Sequence, residues 1–206
     1  MKQSKIVHRC TVGRTMLGAA VALALTASAA MASDIRRVVT GLDANNKAVV
    51  LFDSRLPLAP RSYGVASTVM WITDSSPPRL SFTQDDPAAQ PIGIPPPDNG
   101  SIFRVVEFLP LDAATEAKME PELLMKSIGD HAPARGVPVK HPMMHRTRTL
   151  DYAVVLSGEI DMMLDETSVH LKAGDTVVQQ ATNHAWVNRG TEPCRILFVL
   201  IDSKEP

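Results

Sequence analysis

Residues 145–158 read HRTRTLDYAVVLSG. A polar, twice-basic segment runs without a break into a strongly apolar one, and one acid, Asp151, stands at the seam. The apolar half has the residue types of a buried strand. Side chains at even separation share one face of a strand. His145, Thr147, Asp151, Ala153 and Val155 have the same parity, so an unbroken strand points all five one way. Small residues at 153 and 155 suit a barrel interior that encloses a cavity. Further on, HAWVN (184–188) places His184, Trp186 and Asn188 on a shared face. Two His and one Asp at the ends of two strands, facing a barrel interior, suit a metal ion or a small polar ligand.

The strand rhythm continues on both sides. After DYAVVLSG come EIDMMLD, ETS, VHLKAG, DTVVQQ, HAWVNRG and CRILFVLIDS, short runs rich in Val, Ile and Leu between turn signals. That spacing predicts antiparallel strands in a sandwich or barrel. Both faces are often apolar, so the sheets are expected to be covered by each other and by a partner subunit. Upstream, SIFRVVEFL (101–109) and TVMWITD (68–74) read as strands. Residues 35–55 read as two short strands around an Asn-Asn turn. Residues 75–100, rich in Pro, Asp, Gly and Ser, read as a long surface loop. PELLMKSIG (121–129) reads as one short helix, with Pro121 at its first position, Glu122 and Lys126 at the matching dipole ends, and Gly129 as the stop. Fourteen of the 16 prolines lie between Pro57 and Pro142, which breaks up regular structure in the middle of the chain.

The first residues read differently. Lys2, Lys5, Arg9 and Arg14 make a basic start, MLGAAVALALTASAAM is apolar and small, and Ala30-Met31-Ala32 has the form of a cleavage site. Residues 1–32 therefore read as a secretory signal peptide, with a membrane anchor as the alternative. Removing them takes four of the 21 basic residues and none of the 22 acidic ones, leaving 174 residues (33–206) at a net charge of −5. A periplasmic or secreted protein follows, with no membrane attachment after cleavage. A mildly acidic chain without a basic run argues against nucleic acid as partner. Only Cys194 remains, so no intramolecular disulfide is expected, and beside RILFVLI it reads as a buried small hydrophobe. Aromatic content of 4% is low for a carbohydrate- or nucleic-acid-stacking surface.

The spacing of these motifs resembles the cupin superfamily, whose domains are double-stranded β-helices. Its first motif runs Gly, five residues, His-x-His, three or four residues, Glu, six residues, Gly. Here His145-x-Thr147, three residues, Asp151, six residues and Gly158 follow that frame. Its second motif runs from a Gly through Pro and Gly to His, three residues and Asn, and Gly174 through His184 to Asn188 follows it with one residue fewer before the His. RRVVTGLD, PPPDNGSIFRVVEF, HRTRTLDYAVVLSGEIDMMLD, LKAGDTVVQQATNHAWVNRG and FVLID look like a bacterial subfamily of single-domain cupins, mostly of undefined activity. The resemblance implies an all-β jelly-roll barrel over residues 33–206, with N-terminal strands and the Pro-rich loop in 33–100 and the barrel core in 101–206. It also implies a homodimer, in which the RRVVTG and AVVLFD strands extend a neighbour's sheet.

The chain departs from the family pattern. Val139 stands at the leading Gly, Thr147 at the second His, Asp151 at the Glu, Gln179 at the Pro and Ala181 at the second-motif Gly. Carried over position by position, the metal ligands are His145, Asp151 and His184, a facial set that suits Fe, Zn or Mn. Thr147 would hold a metal-bound water. In the alternative, Asp151 pairs with Arg146 or Arg148 at the rim and the His residues stay metal-free. Thr147, Gln179, Trp186 and Asn188 are expected to line the pocket. His141 and His131 read as loop residues and His170 as solvated. Met143, Met144, Met162 and Met163 read as core or pocket wall, and Tyr152 as facing outward. Two function classes follow. One is a metal-dependent enzyme on a small organic molecule, of decarboxylase, isomerase or dioxygenase type. The other is a non-catalytic small-ligand binder with a degenerate metal site.

Overall fold

The computed structural model describes residues 34–122, 126 and 139–204. Alternation builds the architecture. In β11 (Cys194–Asp202), Cys194, Ile196, Phe198 and Leu200 are buried. In β6 (Thr149–Ser157), Thr149, Asp151, Ala153 and Val155 point the same way. The strands pair antiparallel with Phe198 opposite Ala153, so a large ring sits beside a small side chain and the layer fills evenly. β5 (Ser101–Phe108) takes the other edge of β11, followed by β4 (Val65–Thr73) and the short β3 (Ala59–Pro60). β9 (Thr176–Gln180) closes the far side against β6, giving a six-stranded sheet.

A three-stranded sheet packs against it. β7 (Glu159–Leu164) is central, between β10 (His184–Val187) and β8 (Ser168–Lys172). Ile160, Met162 and Leu171 from this sheet meet Val155, Ile196 and Phe198 from the other. Burying a side chain the size of Ile196 stabilises by roughly 2–3 kcal/mol. The result is the expected all-β jelly roll.

Gly158 turns the chain from one sheet to the other. Its φ is +74°, and a Cβ there would stand 2.6 Å from the Pro193 carbonyl oxygen, so both conformation and space require glycine. The closing glycine of the first motif is thus a sheet-switching turn.

Other expectations need adjusting. The N-terminal strands are longer than expected: β1 (Asp34–Leu42) and β2 (Ala48–Pro57) form a separate two-stranded hairpin. Its turn is held by the Asp43 carboxylate, which accepts from the Asn45 and Lys47 N–H groups. The 75–100 loop contains one 3₁₀ turn, Pro87–Ala89. It is fastened by buried Arg37, which binds Asp86 and the Met70 carbonyl. Of the expected helix over 121–129, Pro121, Glu122 and Lys126 are helical, and the rest lies outside the described residues. So do the expected signal peptide and His131. A helix that the sequence pattern did not reveal, α1 (Ala113–Glu116), starts at Asp112, whose carboxylate accepts from Thr115 N–H at 2.7 Å.

The expected continuous strand from 145 to 155 is broken. His145 forms an isolated bridge, and regular strand begins at Thr149. The inward parity survives the break, since Thr147, Thr149 and Asp151 are each at most 4% exposed.

Candidate functional site

The space between the two sheets is not filled at one end. A cavity of about 330 Å³ opens there, walled by Val106, Phe108, Trp186, Phe198 and Leu200, with a few polar side chains among them. His145, Thr147, Asp151, His184, Trp186 and Asn188 all line it. Gln179 does not. It stands opposite Asp151 across the β6–β9 ladder and is buried among the strands, and neither polar atom of its amide has a partner.

The two imidazoles are held by their own backbones. His145 N–H donates to the His184 carbonyl and His184 N–H to the His145 carbonyl, both at 2.9 Å. This clamp sets the ring centroids 4.5 Å apart. Each Nδ1 lies against a carbonyl two residues back, Met143 O at 2.9 Å for His145 and Thr182 O at 3.0 Å for His184. A carbonyl only accepts, so Nδ1 carries a proton in both rings. Burial, then the neighbouring His145, push the His184 pKa down to about 3, so the ring is neutral at ordinary pH. Trp186 meets His184 edge-on, and its other side meets Phe198.

Asp151 occupies a different environment. Burial raises its pKa to about 6, against the opposing pull of the Thr149 hydroxyl and the Arg104 charge. Its Oδ1 is buried without a partner. The alternative pairing with Arg146 or Arg148 does not occur: the Arg146 guanidinium donates to the Ala181 carbonyl, and Arg148 reaches Asp98 and Asp202. Thr147 spends its hydroxyl on Thr149 at 2.7 Å. Asn188 is fully engaged, donating to the Phe108 and Glu192 carbonyls and accepting from Gly190 N–H, so it braces the wall.

These contacts test the expected ligand set. The tautomer of both His residues fits a divalent ion, because a fixed Nδ1–H turns Nε2 into a donor to metal. The carboxylate does not complete the set. Among the described residues no three His, Cys, Asp or Glu side chains gather closely enough to hold an ion.

The structure also unites residues that the sequence pattern kept apart. His141 is a loop residue, as expected, but it is buried, at 1% exposure. Its Nδ1 accepts from Met143 N–H, so the proton is on Nε2, 3.2 Å from Glu116 of α1. Glu116 also binds Arg189. Arg104, from β5, reaches the cavity although it reads as one charge in an apolar strand. No short-range spacing links 116, 141 and 189, or 104 and 151. His170 is exposed as expected, paired with Asp161 and Glu159, and Tyr152 faces outward. Met144 and Met162 are core, and Met143 is cavity wall.

Residues 134–200 match the Cupin_2 family, described as a cupin domain. The match takes in His145 and His184 and runs into β11 of the jelly roll. The curated relatives are fungal proteins, which corrects the expected bacterial subfamily. Phomopsin biosynthesis cluster protein C' of Diaporthe leptostromiformis is 49% identical over 69 residues, 32% of this chain and 36% of that protein. The match thus spans about a third of the relative's length. The cupin-domain-containing oxidoreductase fogC of Aspergillus ruber is 29% identical over 183 residues, 84% of this chain and 75% of that protein. Among solved structures, a putative ethanolamine utilization protein from Salmonella typhimurium LT2 covers 83% of this chain and 98% of its own, at 8% identity and a TM-score of 0.41.

Proposed function

We propose that this cupin is an enzyme that takes a small, mostly apolar organic molecule into the barrel and moves a proton at a carbon beside a carbonyl or carboxyl group. The observation that carries the reading is the pairing of two kinds of titratable group in one apolar cavity. His184 is a neutral imidazole beside His145, each with its Nδ1 against a backbone carbonyl, and Asp151 is a carboxyl group with its pKa lifted to about 6. Asp151, its pKa lifted to about 6, can exchange a proton near neutrality, while the neutral His184 offers Nε2 as a hydrogen-bond acceptor or as a ligand to an ion. The apolar walls bind the body of the substrate and keep water from the transfer. Decarboxylation and isomerisation belong to this class. That the relative fogC is named an oxidoreductase supports an enzymatic role.

A divalent ion (Fe, Zn or Mn) enters the proposal through His145 and His184. When bound, it supplies Lewis-acid or redox chemistry beside the substrate. Export to the periplasm or exterior is part of the same proposal, resting on the form of residues 1–32. The second reading, a ligand binder without catalysis, draws on Thr147, whose hydroxyl is committed to Thr149 where the family pattern has a metal-binding His.

The test uses protein purified without a polyhistidine tag and assayed with and without added Fe²⁺, Zn²⁺ or Mn²⁺. Aromatic aldehydes, phenols and keto acids are offered and products read by mass spectrometry. Turnover by the wild type that disappears in His184→Ala, with the fold retained, supports the enzyme. Tight binding without turnover under every metal condition leaves the binder.

A further inference from the structure

We infer that the cavity contains a carboxylate-binding subsite built by Arg104 and Arg61, so its ligand is a small apolar acid bound as the anion. This deepens the enzyme reading by naming the substrate class, and rests on that reading only for the statement that the ligand is a substrate.

Arg104 carries the argument. It projects inward from β5 and is 8% exposed. One guanidinium nitrogen, Nη2, donates to the Gly93 carbonyl at 2.8 Å, and buried Nε has no partner. Gly93 and Arg104 both line the cavity. A buried guanidinium normally has a carboxylate against it, because an unpaired charge away from water is costly. Among the described residues Arg104 has no ion pair. Asp151, the one acidic side chain in the described lining, attracts it from a distance without forming one.

The second cation raises the demand for an anion. Arg61, exposed at the mouth, lines the same cavity and is aimed by a 3.1 Å hydrogen bond from its Nε to the Ser67 hydroxyl. Its charge repels that of Arg104. Two guanidiniums on one wall of an apolar cavity, short of internal counter-charge, are satisfied together by a carboxylate that accepts from both. The rest of that ligand is apolar, since Ile94, Val106, Phe108 and Phe198 surround the subsite along the same sheet and loop.

The test is equilibrium binding by calorimetry at pH 8 with cinnamate and its neutral isostere cinnamamide. The wild type is expected to bind cinnamate at least about tenfold more tightly than the amide. Arg104→Gln should erase that preference, Arg61→Gln should reduce it with the buried framework untouched, and the surface variant Arg36→Gln should keep it. Where Arg104→Gln fails to fold, the wild-type comparison and Arg61→Gln decide. Equal binding of acid and amide, or binding of neither at millimolar concentration, overturns the subsite, as does an unchanged preference in Arg61→Gln and a folded Arg104→Gln. Because no turnover is needed, the two readings separate. Acid-selective binding without catalysis keeps the subsite and removes the enzyme. Turnover of neutral carbonyl compounds with no acid preference does the reverse.

Discussion

Asp151 is where the inherited pattern and the physics of this chain part. A carboxyl group with a folded pKa near 6, above its usual 3.8, binds its proton more tightly in the folded state. Its contribution to stability is therefore present below about pH 4 and is lost as pH rises through about 6. Asp151→Asn removes the charge and keeps the shape. In metal-free protein the variant should be more stable than wild type above pH 7, by roughly 1–3 kcal/mol, and show no gain below pH 4. Urea unfolding in EDTA across that range measures it. A loss of stability at pH 8 would mean that the carboxylate has a cationic partner in solution. The buried histidines act in the opposite direction. His184 and His141 both have pKa values lowered by burial, so their contribution is present above about pH 6.5 and falls away as the solution is acidified. His141→Gln should therefore flatten the loss of stability between pH 7 and 5, which the same unfolding series reads. A second residue-scale case is Ala181, which stands at the family's glycine position and has a φ of +50°. A left-handed residue with a Cβ is strained by about 1 kcal/mol. Ala181→Gly should relieve most of that, shifting the urea midpoint upward.

At the scale of elements, the turns and the alternation do most of the specifying. Gly158→Ala should cost several kcal/mol, because an added Cβ meets both a positive φ and a backbone oxygen at 2.6 Å. Thermal unfolding of the purified variant is the measurement, and a midpoint within a degree of wild type would refute the argument. The C-terminal strands were legible because short runs rich in Val, Ile and Leu, such as AVVL in β6 and ILFVLI in β11, stand between turn signals. The convergence of His145 and His184 was legible from parity and motif spacing. The break at residues 146–148 was not, because the clamp that stops the strand pairs His145 with a residue 39 positions away. Gln179 shows the same limit. Parity told that it points inward and could not tell packed layer from cavity. Arg104 and the Glu116–His141–Arg189 cluster arise from tertiary placement alone, and the four-residue α1 is too short for a periodic signal.

At the scale of the molecule, the outer surface bears on assembly. The hairpin of β1 and β2 joins neither barrel sheet, and Val38 and Val50 on it are 50% and 59% exposed. On the outer face of the six-stranded sheet, Tyr152 and Val178 are cross-strand partners at 46% and 61% exposure. Long apolar side chains on strands with free edges invite pairing with another chain, and a second copy is the partner always at hand. The proposal is a homodimer in which the hairpin lies along a neighbour's sheet. Multi-angle light scattering at micromolar concentration should give twice the chain mass. Val50→Lys should shift the equilibrium toward monomer without altering the circular dichroism of the barrel, since the hairpin lies outside both barrel sheets. A wild-type mass equal to one chain would end the proposal. A dimer untouched by Val50→Lys but broken by Val178→Lys would move the interface from the hairpin to the sheet face.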